Sequence, residues 1–222
     1  MPKPLSPSSH PPPGPKPNPG PGRPKSAKKR CAILDAAKRL FLQTGFDGTS
    51  VEQIAAEAGV SKLTVYSHFG DKEALFFASV EERCREQLPD DLFAVSPSGP
   101  VDQALRSIGH RFHTLLSCAD SIALHRMMLG DPRNVERLGA LFWNAGPARI
   151  IAGLDAFLKA AVARGELDIS DTREAAGQFL CLLKGEVNLR MLCGPIGCTH
   201  GDDAAAHVDS VVTLFLRAYR AR

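Results

Sequence analysis

No run of apolar residues in this chain is long enough to span a bilayer, so a helical membrane protein is not expected. Its first residues also lack the apolar stretch of a secretory signal, and the expected location is the cytoplasm, with no membrane partner. Charge of one sign is scarce: 27 Lys and Arg stand against 24 Asp and Glu, a formal net charge of +3. That surplus is too small to argue nucleic-acid binding, so the distribution of charge has to carry any such argument. The six cysteines (Cys31, Cys84, Cys118, Cys181, Cys193 and Cys198) form no C-x-x-C pair and no zinc spacing. Reduced thiols are the default in a cytoplasmic protein. One spacing leaves a thiol switch open, because Cys193 and Cys198 flank the glycine-containing loop C-G-P-I-G-C. Catalytic signatures are missing too. There is no G-x-S-x-G, H-E-x-x-H, P-loop or dinucleotide fingerprint, so no enzyme, catalytic residue or cofactor is expected. His110 and His113 are three apart and could share a metal, but no carboxylate or thiol completes the set with clear spacing, and no metal is expected.

What the chain does contain is an ordinary globular composition, 44% hydrophobic and 23% charged over 222 residues. If about 190 residues fold, roughly 70% of the unfolded surface is removed from water, enough for a core without a disulfide or metal staple. The exception is the start. Eleven of the 17 prolines fall in the first 24 residues, a composition that forms neither helix nor core. Residues 1–25 are therefore read as a disordered Pro-rich arm. It is basic, and no acidic residue precedes Asp35. Its plain reading is a solvated tail. The sharper one lays Arg23 and Lys25 along phosphates or in an A·T-rich minor groove.

The stretch Ser50–Lys72 is the centre of the chain. Ile54, Ala55 and Ala58 share one helical face. Ser50 can cap that helix with Gln53 closing a capping box, and Thr49 with Glu52 offers the same pairing one residue earlier. Gly59 suits the left-handed position that ends a helix. Ser61 caps a second helix from Lys62 to about His68, with Val65 and Phe69 inward and Lys62, Thr64, Tyr66, Ser67 and His68 outward or at the flank. Two short helices joined by a turn of about three or four residues containing Gly form a helix-turn-helix. The outward face of the second helix carries donors and a positive charge but no acid, as a helix entering the major groove requires. A first helix from about Ser26 to Thr44 precedes this pair. The head core is expected to be Ile33, Ala37, Leu40, Phe41, Phe46, Val51, Ile54, Ala55, Val60, Val65 and Phe69.

From Ile33 to Leu75 the chain resembles the DNA-binding domain of TetR/AcrR-type bacterial transcriptional regulators. The landmarks are Gly45-Phe46, Ile54-Ala55, Ala58-Gly59-Val60-Ser61, Tyr66, Phe69 and Lys72-Glu73. Leu141–Ile150, L-F-W-N-A-G-P-A-R-I, is similar to the AefR-like branch. The resemblance implies an all-α homodimer, with a three-helix helix-turn-helix head (residues 26–72) on double-stranded operator DNA. A helical body (residues 73–222) then binds a small-molecule effector and dimerises. It implies phosphate contacts from Tyr66, His68 and Lys72, and release from DNA when a shift of the fourth helix changes the spacing of the two heads. Thr49, Ser50 and Ser61 complete the expected DNA-facing set. Lys62 and Thr64 can reach bases or phosphates. Leu63 and Ser67 depart from the family pattern, and Leu63 can touch a thymine methyl or stay passive. Repression through a palindromic operator is the leading reading. A thiol-based redox regulator, or a helical interaction protein with only nonspecific DNA binding, is the alternative.

Beyond the fourth helix (about Asp71 to Gln87), the pattern predicts helices near 100–118, 120–130, 133–164 with a break at Gly146-Pro147, 171–192 and 203–220. Phe112, Met127, Met128, Phe142 and Trp143 are the expected lining of an apolar cavity for an apolar or amphipathic ligand; the same residues could simply be core. Arg111 or His125 could orient an anionic group. Leu180, Leu183, Val187, Leu189 and Met191, with Val208, Val211, Val212, Leu214 and Phe215, give two apolar faces. They would form a four-helix dimer interface or complete the monomer's own core.

Overall fold

Helix α1 (Arg23–Gly48) begins inside the stretch expected to remain extended, in a computed structural model that describes residues 23–93, 99–194 and 204–221. The rest of the proline-rich arm, the side chains of Arg23 and Lys25, and Cys198 with most of its loop lie outside the described residues. The helical path of α1 is interrupted at Gly45 (φ 75°, ψ 175°), where the sequence pattern also ends. The turn that follows delivers α2 (Val51–Glu57), α3 (Lys62–Phe69) and α4 (Lys72–Gln87).

Each boundary has a local cause. Ser50 caps α2 by accepting from the Gln53 amide, and Gln53 reaches back to the Ser50 amide at 2.7 Å, so the capping box forms at Ser50 rather than Thr49. Gly59 follows the C-cap at φ 65°, a conformation that would strain any residue with a Cβ. Ser61 caps α3 and Asp71 caps α4, each accepting the amide three residues on. Such caps contribute about 1 kcal/mol apiece, which matters for a helix as short as α3. Ile33, Ala37, Phe41, Phe46, Val51, Ile54, Ala55 and Val65 are buried as expected, while Leu40, Val60 and Phe69 are partly buried against that core.

The body follows as a 3-10 turn at Asp90–Phe93, then α5 (Val101–Ser117), α6 (Ala119–Gly130), α7 (Pro132–Ala145), α8 (Pro147–Ala163), α9 (Thr172–Cys193) and α10 (Ala204–Tyr219). The predicted break is real: Gly146 ends α7 and Pro147 opens α8. Among the described residues every regular element is helical, apart from one antiparallel bridge between Leu167 and Arg220. The fold is all-α, with α4 packing on α1 and α3 of the head and on α5 and α7 of the body.

Two features of the last helices differ from expectation. Their apolar faces divide. Leu180, Leu183, Val208, Val211, Val212 and Phe215 are buried in the chain's own core, leaving Leu182, Leu189 and Leu214 exposed. Helix α9 is also not continuous: Gly185 adopts φ 55° and ψ −171°. The ring of His207 packs where a Cβ would lie, 3.1 Å away, and its Nε2 stands 3.2 Å from the Leu183 carbonyl oxygen at the kink. A lone glycine inside an amphipathic pattern reads as helix, so the kink was invisible without α10 beside it.

Candidate nucleic-acid interface and body cavity

Helix α3 buries Val65 fully and Phe69 in part, and turns Lys62, Leu63, Tyr66 and Ser67 outward. Leu63, at its N-terminal turn, is 77% exposed, and Tyr66 is 39% exposed. Lys62 pairs with Glu52 of α2 and lies 5.6 Å from the centre of the Tyr66 ring. The Glu52 carboxylate beside it raises the Lys62 ammonium above its usual range, and the same contact lowers Glu52. Ser61 and Thr64 hydroxyls lie 2.8 Å apart, and Ser67 donates to the Thr64 carbonyl. His68 sits at the flank, half-buried against Phe69. Ser50, Ser61, Lys62, Leu63, Thr64, Tyr66, Ser67 and His68 thus lie on or beside this one surface.

Thr49 does not belong to it. Its side chain is 1% exposed, and its hydroxyl lies 2.7 Å from the Gly45 carbonyl oxygen and 2.8 Å from the Thr44 hydroxyl. It ties the end of α1 to the start of α2 and is unavailable to DNA. Lys72 is also engaged inward. Its Nζ donates to the carbonyls of Phe46 (2.9 Å) and Thr49 (3.0 Å) and lies 4.3 Å from the centre of the Phe46 ring. Burial lowers the Lys72 ammonium from its ordinary range. In place of the expected outward cation, Lys72 is a strut between α4 and the turn before α2.

A body residue reaches the same turn. Arg137 of α7 pairs with Glu73 (2.7 Å) and Asp47 (3.3 Å), and its guanidinium lies 5.0 Å from the Phe46 ring centre. No pattern in the sequence announces this contact, because it joins residues 64 and 90 positions apart.

Below this seam the body holds a cavity of about 230 Å³. Helix α4 contributes Val80, Arg83 and Cys84 at helical spacing, α5 Phe112, Leu115 and Leu116, and α6 Ser121, Leu124 and His125. Phe142 and Trp143 of α7, Ile150 and Ile151 of α8, and Leu180, Cys181 and Lys184 of α9 complete most of the wall. Phe112, Phe142 and Trp143 therefore line it as expected. Met127 and Met128 do not: they lie further along α6 than its lining residues, and Met128 is buried while Met127 packs partly buried against the core. Arg111 points elsewhere, toward the Gln87 carbonyl, whereas His125 lines the wall. His113 lies 3.1 Å from the Ser117 hydroxyl and faces His207, and no group of three potential metal ligands occurs among the described residues.

Burial pushes the Cys84 thiol up to about 11, although Arg149 and Arg83 pull it the other way. Nucleophilic thiolate is then scarce at that site. Alkylation by iodoacetamide at pH 8 is expected to label the exposed Cys31, Cys181 and Cys193 and to leave Cys84 unmodified. Peptide mapping that finds Cys84 labelled as fast as Cys31 would contradict the burial.

An exposed capped helix on a small three-helix head, joined by one helix to a helical body, is the architecture of a helix-turn-helix DNA-binding regulator. Comparison with known proteins specifies it. Residues 33–79 match "Bacterial regulatory proteins, tetR family", and residues 103–221 match "AefR-like transcriptional repressor, C-terminal domain". The HTH-type transcriptional regulator RutR of Escherichia coli K12 is 52% identical over 60 residues, 27% of this chain and 28% of that protein. AcnR, a transcriptional repressor of Corynebacterium glutamicum, is 38% identical over 58 residues, 26% and 31% of the two chains. The match thus spans less than a third of these curated relatives. Among solved structures, the Flavonoid-responsive Regulator FrrA is 32% identical with a TM-score of 0.71, covering 88% of this chain and 99% of that one. A putative TetR-family regulator of Mesorhizobium loti is 26% identical with a TM-score of 0.76, covering 89% and 99%. The chain belongs to the TetR family of bacterial transcriptional regulators, with an AefR-like C-terminal domain, and it is a DNA-binding regulator.

Proposed function

We propose that this protein is a repressor that holds a palindromic operator as a homodimer and lets go when a small aromatic molecule enters the body cavity. The observation that carries this reading is the double use of α4. At its first turn, Lys72 grips the base of the head and Glu73 pairs with Arg137 of the body, while Val80, Arg83 and Cys84 of the same helix line the cavity. Arg83 lies eleven residue steps along the helix from Lys72, about 16 Å of rigid rod. A ligand that displaces one end moves the other. Two half-sites lie about 34–36 Å apart on one face of the duplex, so a shift of a few ångströms in each head breaks simultaneous contact.

In this reading Ser61, Lys62, Leu63, Thr64, Tyr66, Ser67 and His68 face the duplex, with Ser50 and the α2 N-terminus against a phosphate. Arg23 and Lys25 approach it from the start of α1. Lys72 acts through the head's geometry and Thr49 through its fold. Exposed Leu182, Leu189 and Leu214 on α9 and α10 are the surface left for the partner protomer. The name of FrrA supports an aromatic effector, as do Phe112, Phe142 and Trp143 in the wall.

The test is a nuclease footprint on DNA upstream of the protein's own gene. A protected region with two-fold symmetry, about one helical turn between half-site centres, is expected. Salt-sensitive retardation without a discrete footprint would overturn the operator reading in favour of nonspecific binding.

A further inference from the structure

The polar groups in the cavity wall have one direction missing. Arg83 and Lys184 are its charged side chains, and no carboxylate joins them. Arg83 is already held by Asp120 at 2.6 Å. Donors therefore dominate; the Ser121 hydroxyl in the wall already accepts from the Cys118 thiol, which leaves the His125 ring as the acceptor for a ligand hydroxyl.

The contacts of His125 fix where its proton sits. Its Nδ1 lies 2.6 Å from the Ser121 carbonyl oxygen, one turn back along α6. A carbonyl oxygen only accepts, so Nδ1 carries the proton. Burial lowers the imidazole's pKa, against the opposing pull of that same hydrogen bond, and the ring is neutral near pH 7. A neutral imidazole protonated at Nδ1 has a bare lone pair on Nε2. No partner for Nε2 occurs among the described residues, and it is not among the fully buried unpartnered atoms. The ring lines the cavity, held edge-on to Phe142 with centres 5.3 Å apart. Its direction is therefore set before any ligand arrives.

We infer that the cavity selects a hydroxylated aromatic molecule, a phenol whose O–H is donated to Nε2 of His125 while its ring lies along Phe142 and Trp143. This rests on the aromatic-effector reading above and adds the polarity that the effector must have. An aromatic ether of the same skeleton fills the apolar wall but leaves Nε2 without a donor. An aliphatic carboxylate finds Lys184 but brings a second acceptor to His125. Leaving a buried acceptor unmatched weakens binding by about tenfold or more.

Calorimetric titration of the full chain with three probes tests this: a trihydroxyflavone (apigenin), its fully O-methylated form, and decanoate. Apigenin is expected to bind at least about tenfold more tightly than either of the others. Quenching of Trp143, the protein's single tryptophan and part of the same wall, places the probe in the cavity. In His125→Phe the ring packing against Phe142 is kept and the acceptor is lost, so the preference for apigenin over its ether should fall toward one. His125→Gln restores an acceptor and should recover part of that preference. If the wild-type chain binds the ether as tightly as apigenin, or if His125→Phe keeps the preference, the inference is wrong and the aromatic-effector reading survives. If neither flavone binds, both are wrong.

Discussion

Replacing Phe46 with alanine is expected to destabilise the protein by about 3–5 kcal/mol, read as a fall in the urea midpoint at unchanged slope. Phe46 is 1% exposed. Its ring stacks on Phe41 with centres 5.6 Å apart and meets Phe76 edge-on at 5.5 Å, while Phe41 and Phe76 close the triangle at 5.6 Å. Three elements meet there: α1, the turn before α2, and α4. The Lys72 ammonium and the Arg137 guanidinium also lie over the Phe46 ring, so truncation removes the platform of both cations. The ion pairs of Arg137 are half exposed and contribute at most about 1 kcal/mol on their own, so the packed ring contributes more than they do. A large loss of stability is expected together with weaker DNA binding, because the ring sits where head, α4 and body join. A loss below about 1 kcal/mol would mean that the triangle is not packed as described.

Phe46 also illustrates what the sequence could reveal. Its burial was legible, since a phenylalanine follows directly on the glycine at which the helical path of α1 breaks. Its role at the seam was not, because the partner cation lies on α7. The same division runs through the chain. Caps, glycines and apolar spacing are local signals, and they placed α2, α3, α4 and the body helices to within a few residues. The exposed face of α3 followed from spacing as well. Thr49 and Lys72 misled because composition says which groups can donate to a phosphate, whereas tertiary contacts decide which are free to do so. Both are tied to backbone groups around the Gly45–Thr49 turn, a match that appears only once α1 and α4 are packed. Met127 and Met128 failed for a related reason. Helical spacing assigns a face but not how far along the helix a cavity extends. Val80 and Arg83 carried the right spacing on α4, yet nothing in that helix states that α9 would close the opposite wall.

Tyr66→Ala is expected to lower operator affinity by roughly 30- to 150-fold while leaving the melting temperature of the free protein almost unchanged. Tyr66 is 39% exposed and stands at the outer flank of α3, where a phenol can donate to a phosphate. Its ring also carries the Lys62 ammonium at 5.6 Å, so its removal frees Lys62 to stay paired with Glu52. A single head loses about 1–1.5 kcal/mol on this account, and the proposed homodimer loses it twice. Because a phosphate contact carries no sequence information, operator and unrelated DNA should weaken together, and because the phenol is neutral the salt dependence should stay nearly unchanged. Leu63→Ala is the contrast. If Leu63 touches a thymine methyl, its truncation should relax preference at one base-pair position and leave the salt slope alone. Lys72→Ala separates the two kinds of effect from a third. It should lower the stability of the free protein first, since its ammonium satisfies two carbonyls inside the head. Undiminished affinity in Tyr66→Ala would remove α3 from the duplex and move the search for the DNA-facing surface elsewhere on the head.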